Sequence, residues 1–351
     1  MSRVSRARQV ATAAALGGGG LTFVGALGVA VVAVEARLAR RWIGQPFGLA
    51  GPEADGVYGH GPGEPIQLAV LGDSTADGLG ATEAAETPGA IVASGLAAVS
   101  GRPVHLTNVA VVGAESTDLA DQVAELLGRV SHPDVAVILI GGNDVTHRIK
   151  VPVAVGALAA AVTSLREVGC EVVVGTCPDL GSIEPIAQPL RSIARRWSRE
   201  LAAAQTVAVV EAGGRTVSLG DILGPEFAAS PRELFSADRF HPSPAGYARC
   251  AAALLPSVCA AAGYWPDGGR ERHPDIRRGE GVAPVAEAAV AAAEDPGTEV
   301  SGANVAGADR GPLGRWATLL RRRRQPLPAQ RSFDPDARDD ERPENAMVTG
   351  E

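Results

Sequence analysis

Five short apolar runs recur along the middle of the chain, separated by longer stretches in which apolar positions repeat every three to four residues. Ile66–Leu71, Val104–Val109, Val135–Ile140, Glu171–Gly175 and Val207–Glu211 have the length of strands. Between them, Pro88–Ala98, Thr117–Arg129, Val151–Val168 and Pro185–Ala204 carry helical patterns. A last helix is predicted from Pro244 to about Ala262, kinked at Pro256, where the ring and the missing N–H interrupt the ladder. Alternating strands and helices at this spacing predict parallel pairing, because each crossover needs a helix and the helices cover both faces of the sheet. The unbroken apolar run Val135-Ala-Val-Ile-Leu-Ile140 fits a central strand, buried on both sides. The expectation is an α/β chain with one three-layer α/β/α domain over residues 65–263, built on a five-stranded parallel sheet.

The flanks have different patterns. Residues 10–34 are a 25-residue stretch without a charge, preceded by Arg3, Arg6 and Arg8 and followed by Glu35, Arg37, Arg40 and Arg41. At about 1.5 Å per helical residue it is long enough to cross a bilayer, which predicts a membrane anchor with basic flanks in residues 1–41. A cleaved signal peptide is the alternative: small residues suited to cleavage are frequent and the Gly17–Gly20 run weakens a helix, although such apolar cores usually span about 7 to 15 residues. Three arginines precede the stretch and three follow it, so the added charge of the amino terminus tips the expected orientation toward an outward-facing domain. Residues 42–64, rich in Gly and Pro, read as a linker. Residues 264–351 show no strand and at best a helical stretch near Val282 to Glu294, and read as a disordered tail. Within it the basic segment 315–324, with Arg321–Arg324, suits an anionic membrane surface or simply a solvated patch.

Composition removes several function classes. The chain has 351 residues, a formal charge of −8 and a pI near 5.4, which argues against nucleic-acid binding through a broadly basic surface. Its only lysine, Lys150, follows Ile149, so the Gly-Lys pair of a phosphate-binding Walker A loop is absent. No C-x-x-C or H-E-x-x-H occurs, so the common zinc signatures are missing, and no cofactor or metal is expected. The four cysteines, Cys170, Cys177, Cys250 and Cys259, are spaced too widely along their own elements to pair within them; pairs across elements stay open, and small buried thiols are the expectation.

Candidate chemistry lies where parallel sheets usually place it, in the loops leaving the carboxyl ends of the strands. Gly72-Asp73-Ser74-Thr75 follows the first strand, Asn108 to Gly113 the second and Gly141-Gly142-Asn143-Asp144 the third, while Asp238-Arg239-Phe240-His241 precedes the last helix. Each alone is an ordinary turn or helix start. Together they supply a serine nucleophile (Ser74), a base to take its proton (His241) and a carboxylate to orient that base (Asp238). The N–H groups of Ser74 and Gly113 and the side-chain amide of Asn143 are candidate donors to a developing oxyanion. Ser243 as cap and Pro244 as first helical residue fix His241 just ahead of a helix. His147 is the other histidine on this face and is expected as loop surface, open to a substrate contact.

These four ordered blocks resemble the SGNH (GDSL-type) hydrolase superfamily over about 200 residues, the α/β/α domain alone. The resemblance implies a flavodoxin-like sheet, a Ser74-His241-Asp238 triad and an oxyanion hole of Ser74, Gly113 and Asn143. Thr75 departs from the apolar residue that many members have after the serine. The activity implied is cleavage of acyl esters, esterase-, lipase- or lysophospholipase-like, through an acyl-enzyme. The substrate would be a small acyl ester, a lipid or an acylated glycan, and no nucleic acid is expected as a partner. An O-acyltransferase using the same triad and a catalytically silent binding module on a membrane tether are the alternatives. The G-x-S-x-G elbow of the α/β-hydrolase fold is absent.

Overall fold

The computed structural model describes residues 46–264 throughout, together with 34, 35, 37, 38, 44, 299–301 and 304–305. The uncharged stretch 10–33 and nearly all of the expected tail, with its basic segment, lie outside the described residues. No helix among the described residues is long and apolar enough to cross a membrane.

Five strands run parallel: β2 (Ile66–Gly72), β3 (Val104–Asn108), β4 (Val135–Leu139), β5 (Glu171–Gly175) and β6 (Arg215–Val217). Their order across the sheet is β3-β2-β4-β5-β6. The chain moves outward from β2 to β3, then returns past β2 to β4 and continues the other way. Connections above β2 and β4 therefore leave in opposite directions and open a crevice at their carboxyl ends, the place where such sheets bind ligands. A sixth strand, β1 (Gly56–Tyr58), pairs antiparallel with β3, and the short β7 (Glu299–Ser301) and β8 (Asn304–Val305) extend the β6 edge.

Two apolar layers sandwich the sheet because successive side chains on each strand point to opposite faces. Leu68, Val70, Val137 and Leu139 pack on one side against α2 (Pro88–Ser100) and the long carboxyl-terminal helix Pro244–Ala261. Ala69, Leu71, Ala136 and Ile138 pack on the other, against α3 (Leu119–Arg129) and the helix Val151–Glu167. In chain order the remaining helices are α1 (Ser74–Asp77) after β2, α4 (Gly142–His147) after β4, α5 (Val151–Glu167), α6 (Leu190–Glu211), α7 (Leu219–Ala229), α8 (Pro231–Leu234) and α9 (Pro244–Ala261). α9 runs through Pro256 without a break.

Three expectations are corrected. The stretch 264–351, read as a disordered tail, carries β7 and β8, whose backbone pairing to the β6 edge no alternation in so short a stretch announces. Val207–Glu211 is the end of α6, and the fifth parallel strand is the shorter Arg215–Val217. Leu201, Ala202, Gln205, Thr206, Val209 and Val210 are buried at helical spacing, so the apolar run continues one helix face; a run of that length carries no period that separates the two conformations. The stretch read as linker also enters the domain: β1 lies in it, Ala54 is buried, and the Asp55 carboxylate accepts the Asn108 N–H at 2.6 Å. A three-residue edge strand among glycines is too short to show alternation.

Candidate active site

Ser74 opens α1, directly after β2. The turn requires Gly72, whose φ of 135° lies outside the range other residues adopt readily and where a Cβ would fall 1.9 Å from the Leu139 carbonyl oxygen of the adjoining strand. Asp73 caps α1, its Oδ1 accepting the Thr75 N–H at 2.9 Å. On the far side of Gly72, the amide of Gln122 in α3 donates to the Gly72 carbonyl at 2.9 Å and accepts its N–H at 2.8 Å.

The His241 loop is built around one carboxylate. Asp238 Oδ1 accepts the N–H groups of Phe240 and His241 and the Ser236 hydroxyl, each at 2.9 Å. Its Oδ2 lies 2.6 Å from His241 Nδ1, and His241 Nε2 lies 2.9 Å from Ser74 Oγ. Arg239, with φ of 56°, makes the left-handed turn that folds the histidine back over the carboxylate. Ser243 caps α9 through the Gly246 N–H and Pro244 follows it, as the sequence predicts. The Tyr247 hydroxyl donates to the Leu79 carbonyl at 2.7 Å and ties α9 to the segment after Ser74.

The charges follow from these contacts. Burial would raise the Asp238 carboxyl, but the hydrogen bonds from the His241 ring and the Phe240 N–H, with the attraction of the imidazole, outweigh it and hold the group below the usual carboxylate range. Asp73 shows the reverse balance: burial pushes it up to about 6 against the opposing bonds from Thr75 and the attraction of His241. The four cysteines are free and buried, as expected; desolvation pushes the thiols of Cys170 and Cys250 up to about 12.

Ser74, Asn143 and His241 line one cavity of about 90 Å³. Its wall is mostly apolar, with Leu139, Ile183, Leu219, Phe227 and Phe235 prominent, and Thr75 is also part of it. Asn143 donates through Nδ2 to the Ala114 carbonyl at 3.0 Å, which brings the third loop onto the second. Gly113, adjacent to that contact, is exposed with φ of 88° and does not line the cavity. His147 is half-exposed, also outside the cavity lining, and its Nδ1 lies 2.8 Å from Glu115 Oε1. Among the described residues, no group of three or more His, Cys, Asp or Glu side chains is placed to hold a metal ion.

Some supporting residues escape a reading of motifs. Ser116 acts through a contact with Asp144 of α4 that no local pattern announces, and Ser236 braces Asp238 and the His241 carbonyl from within their own loop. Gln122 and Gln205 did leave a signal, each being a polar residue on the apolar stripe of its helix.

Residues 70–249 match the model of the GDSL-like lipase/acylhydrolase family. The chain belongs to that family. Membership makes it a hydrolase of carboxylic esters. It is 44% identical over 257 residues to the GDSL-like esterase Rv1075c of Mycobacterium tuberculosis (strain ATCC 25618 / H37Rv), a match covering 70% of this chain and 81% of the relative. Solved structures similar to this GDSL-like chain include a variant of the acetyl xylan esterase Axe2 of Geobacillus stearothermophilus, at 21% identity and a TM-score of 0.43, covering 59% of this chain and 97% of that one. TesA is similar at 22% identity and the same TM-score of 0.43, over 55% of this chain and 98% of its own.

Proposed function

We propose that the chain cleaves esters of small acyl groups through a Ser74-His241-Asp238 triad. The observation that carries the reading is the continuous hydrogen-bonded path from Ser74 Oγ through His241 to Asp238 beside an apolar cavity. Ser74 Oγ attacks the ester carbonyl as His241 Nε2 takes its proton, and Asp238 stabilises the imidazolium that forms. The Ser74 N–H and the Asn143 amide, both in the cavity wall, hold the oxyanion, and the Gly113 N–H is assigned as a third donor from outside the lining, on the loop that Asn143 grips at Ala114. His241 returns the proton to the leaving alcohol, and water then releases the acyl group by the same sequence in reverse. The relative named an esterase supports ester cleavage.

The cavity supports a short acyl group. Its volume is about 90 Å³, smaller than the roughly 150 Å³ apolar cavity that takes up a benzene molecule. The uncharged span of residues 10–34 supports attachment to a membrane, with the hydrolase facing outward toward envelope lipids or acylated glycans.

A fluorophosphonate probe tests the centre of the reading. The wild-type chain is expected to label, and Ser74→Ala to lose both label and ester turnover with its fold intact. A folded Ser74→Ala protein that labels at the wild-type rate would refute the triad. Nitrophenyl esters of increasing acyl length then test the cavity, with turnover expected to fall as the chain outgrows it.

A further inference from the structure

We infer that Asp144 is a positioning residue for the oxyanion site: through Ser116 it locks the loop that carries Gly113 onto the helix that carries Asn143. The inference rests on the proposed triad and assigns a role to a carboxylate that the triad does not use.

The two loops leave different strands, β3 and β4, and nothing in the covalent chain fixes the distance between their donors. Three consecutive residues of one loop make side-chain contacts with three residues of α4. The Ala114 carbonyl accepts from Asn143 Nδ2 at 3.0 Å, Glu115 Oε1 lies 2.8 Å from His147 Nδ1, and Ser116 meets Asp144. The last of these is the deepest. Ser116 is fully buried and Asp144 is 1% exposed. Asp144 accepts the Ser116 hydroxyl at Oδ2, 2.9 Å away, and the Ser116 N–H at Oδ1, 3.1 Å away. A serine held at both its backbone and its side chain cannot slide or rotate relative to the carboxylate. The His147 contact, by comparison, is half-exposed and open to competition from water.

The geometry at Asn143 explains why the lock matters for turnover. A side-chain amide has two N–H groups. One is spent on the Ala114 carbonyl, which fixes the plane of the amide and leaves the second for the cavity that Asn143 lines. If loop 113–116 drifts, the Ala114 carbonyl and the Gly113 N–H move together, so two of the three donors lose their aim at once. Substrate binding in the apolar wall is untouched by that drift.

Such a role appears in kcat, with KM left nearly constant. For Ser116→Ala, kcat is expected to fall about 10- to 100-fold with KM within about twofold, since displacement of about 1 Å costs up to 10²-fold and loss of a whole donor 10²- to 10³-fold. Asp144→Asn keeps one carbonyl oxygen for Ser116 and is expected to fall between Ser116→Ala and wild type. Turnover is expressed per site titrated with fluorophosphonate, so that loss of folded protein does not count. Affinity for an alkylboronic acid, which forms a tetrahedral adduct on the serine, is expected to drop in step with kcat/KM across the variants. Unchanged kcat per titrated site and unchanged boronate affinity in Ser116→Ala would overturn the inference, even where Asp144→Asn fails to fold. Retained turnover in Ser74→Ala would instead overturn the triad itself.

Discussion

Asp73 is a residue where the site and the stability of the fold pull apart. Its carboxyl is buried beside the nucleophile, and its pKa is raised from 3.8 to about 6. Between those two values the folded chain keeps a proton that the unfolded chain has lost, so stability falls as pH rises through this window. The contribution is fully present below about pH 4 and lost above about pH 6; a shift of this size corresponds to about 3 kcal/mol. Asp73→Asn keeps an oxygen to cap α1 and removes the charge. It is therefore expected to unfold at a higher temperature than wild type at pH 8, with the difference closing as pH falls to 4. Thermal scans at a series of pH values check this, and a constant difference across the series would show that ionisation is not the cause. Asp238 differs because three donors and the histidine ring surround it, so its charge is favoured where that of Asp73 is not. Both are aspartates in loops at the same end of the sheet, and only their partners separate them.

At the scale of elements, buried glutamines fasten the strand ends that carry the chemistry. Gln205, wholly buried on α6, donates to the Ile140 carbonyl at 3.1 Å and accepts the Cys177 N–H at 2.8 Å, joining the ends of the two chain segments that leave β4 and β5. Gln205→Leu fills the space with an apolar side chain but leaves both backbone groups without that partner. The expected loss is about 1–3 kcal/mol for each group left unpaired, read as a lower denaturant midpoint at unchanged slope. A midpoint within a few tenths of a kcal/mol of wild type would show that the strand ends need no clip. The same helix accounts for the one strand that the periodicity misplaced. The apolar residues 207–210 fit a strand and a helix face equally well over so short a length. What decides is Gln205 and its neighbours, whose side chains reach two strands at once from one helical face.

For the molecule as a whole, the described domain holds the complete hydrogen-bonded path from Ser74 to Asp238, and residues 1–41 add none of it. Removing residues 1–41 is therefore expected to leave ester turnover unchanged, and the membrane attachment proposed above adds that it moves the protein from the membrane pellet to the supernatant. Recovery of the full chain in the supernatant would refute the anchor. The sequence alone determined the layer architecture, because short unbroken apolar runs alternating with stretches of period near 3.6 are local properties of the chain. It determined the four chemical loops too, since Gly72-Asp73-Ser74, Asn108 to Gly113, Gly142-Asn143-Asp144 and Asp238-x-x-His241 carry their residues in contiguous blocks. The tertiary structure alone decided that Ser74 meets His241 across 167 positions, that Asp144 holds Ser116, and that Arg215–Val217 completes the parallel sheet. Those outcomes depend on which strand lies beside which, and the crevice opens only because the order reverses between β2 and β4. A hydrogen bond from a side chain to a distant backbone group has no period and no spacing, so it leaves no trace until the chain is folded.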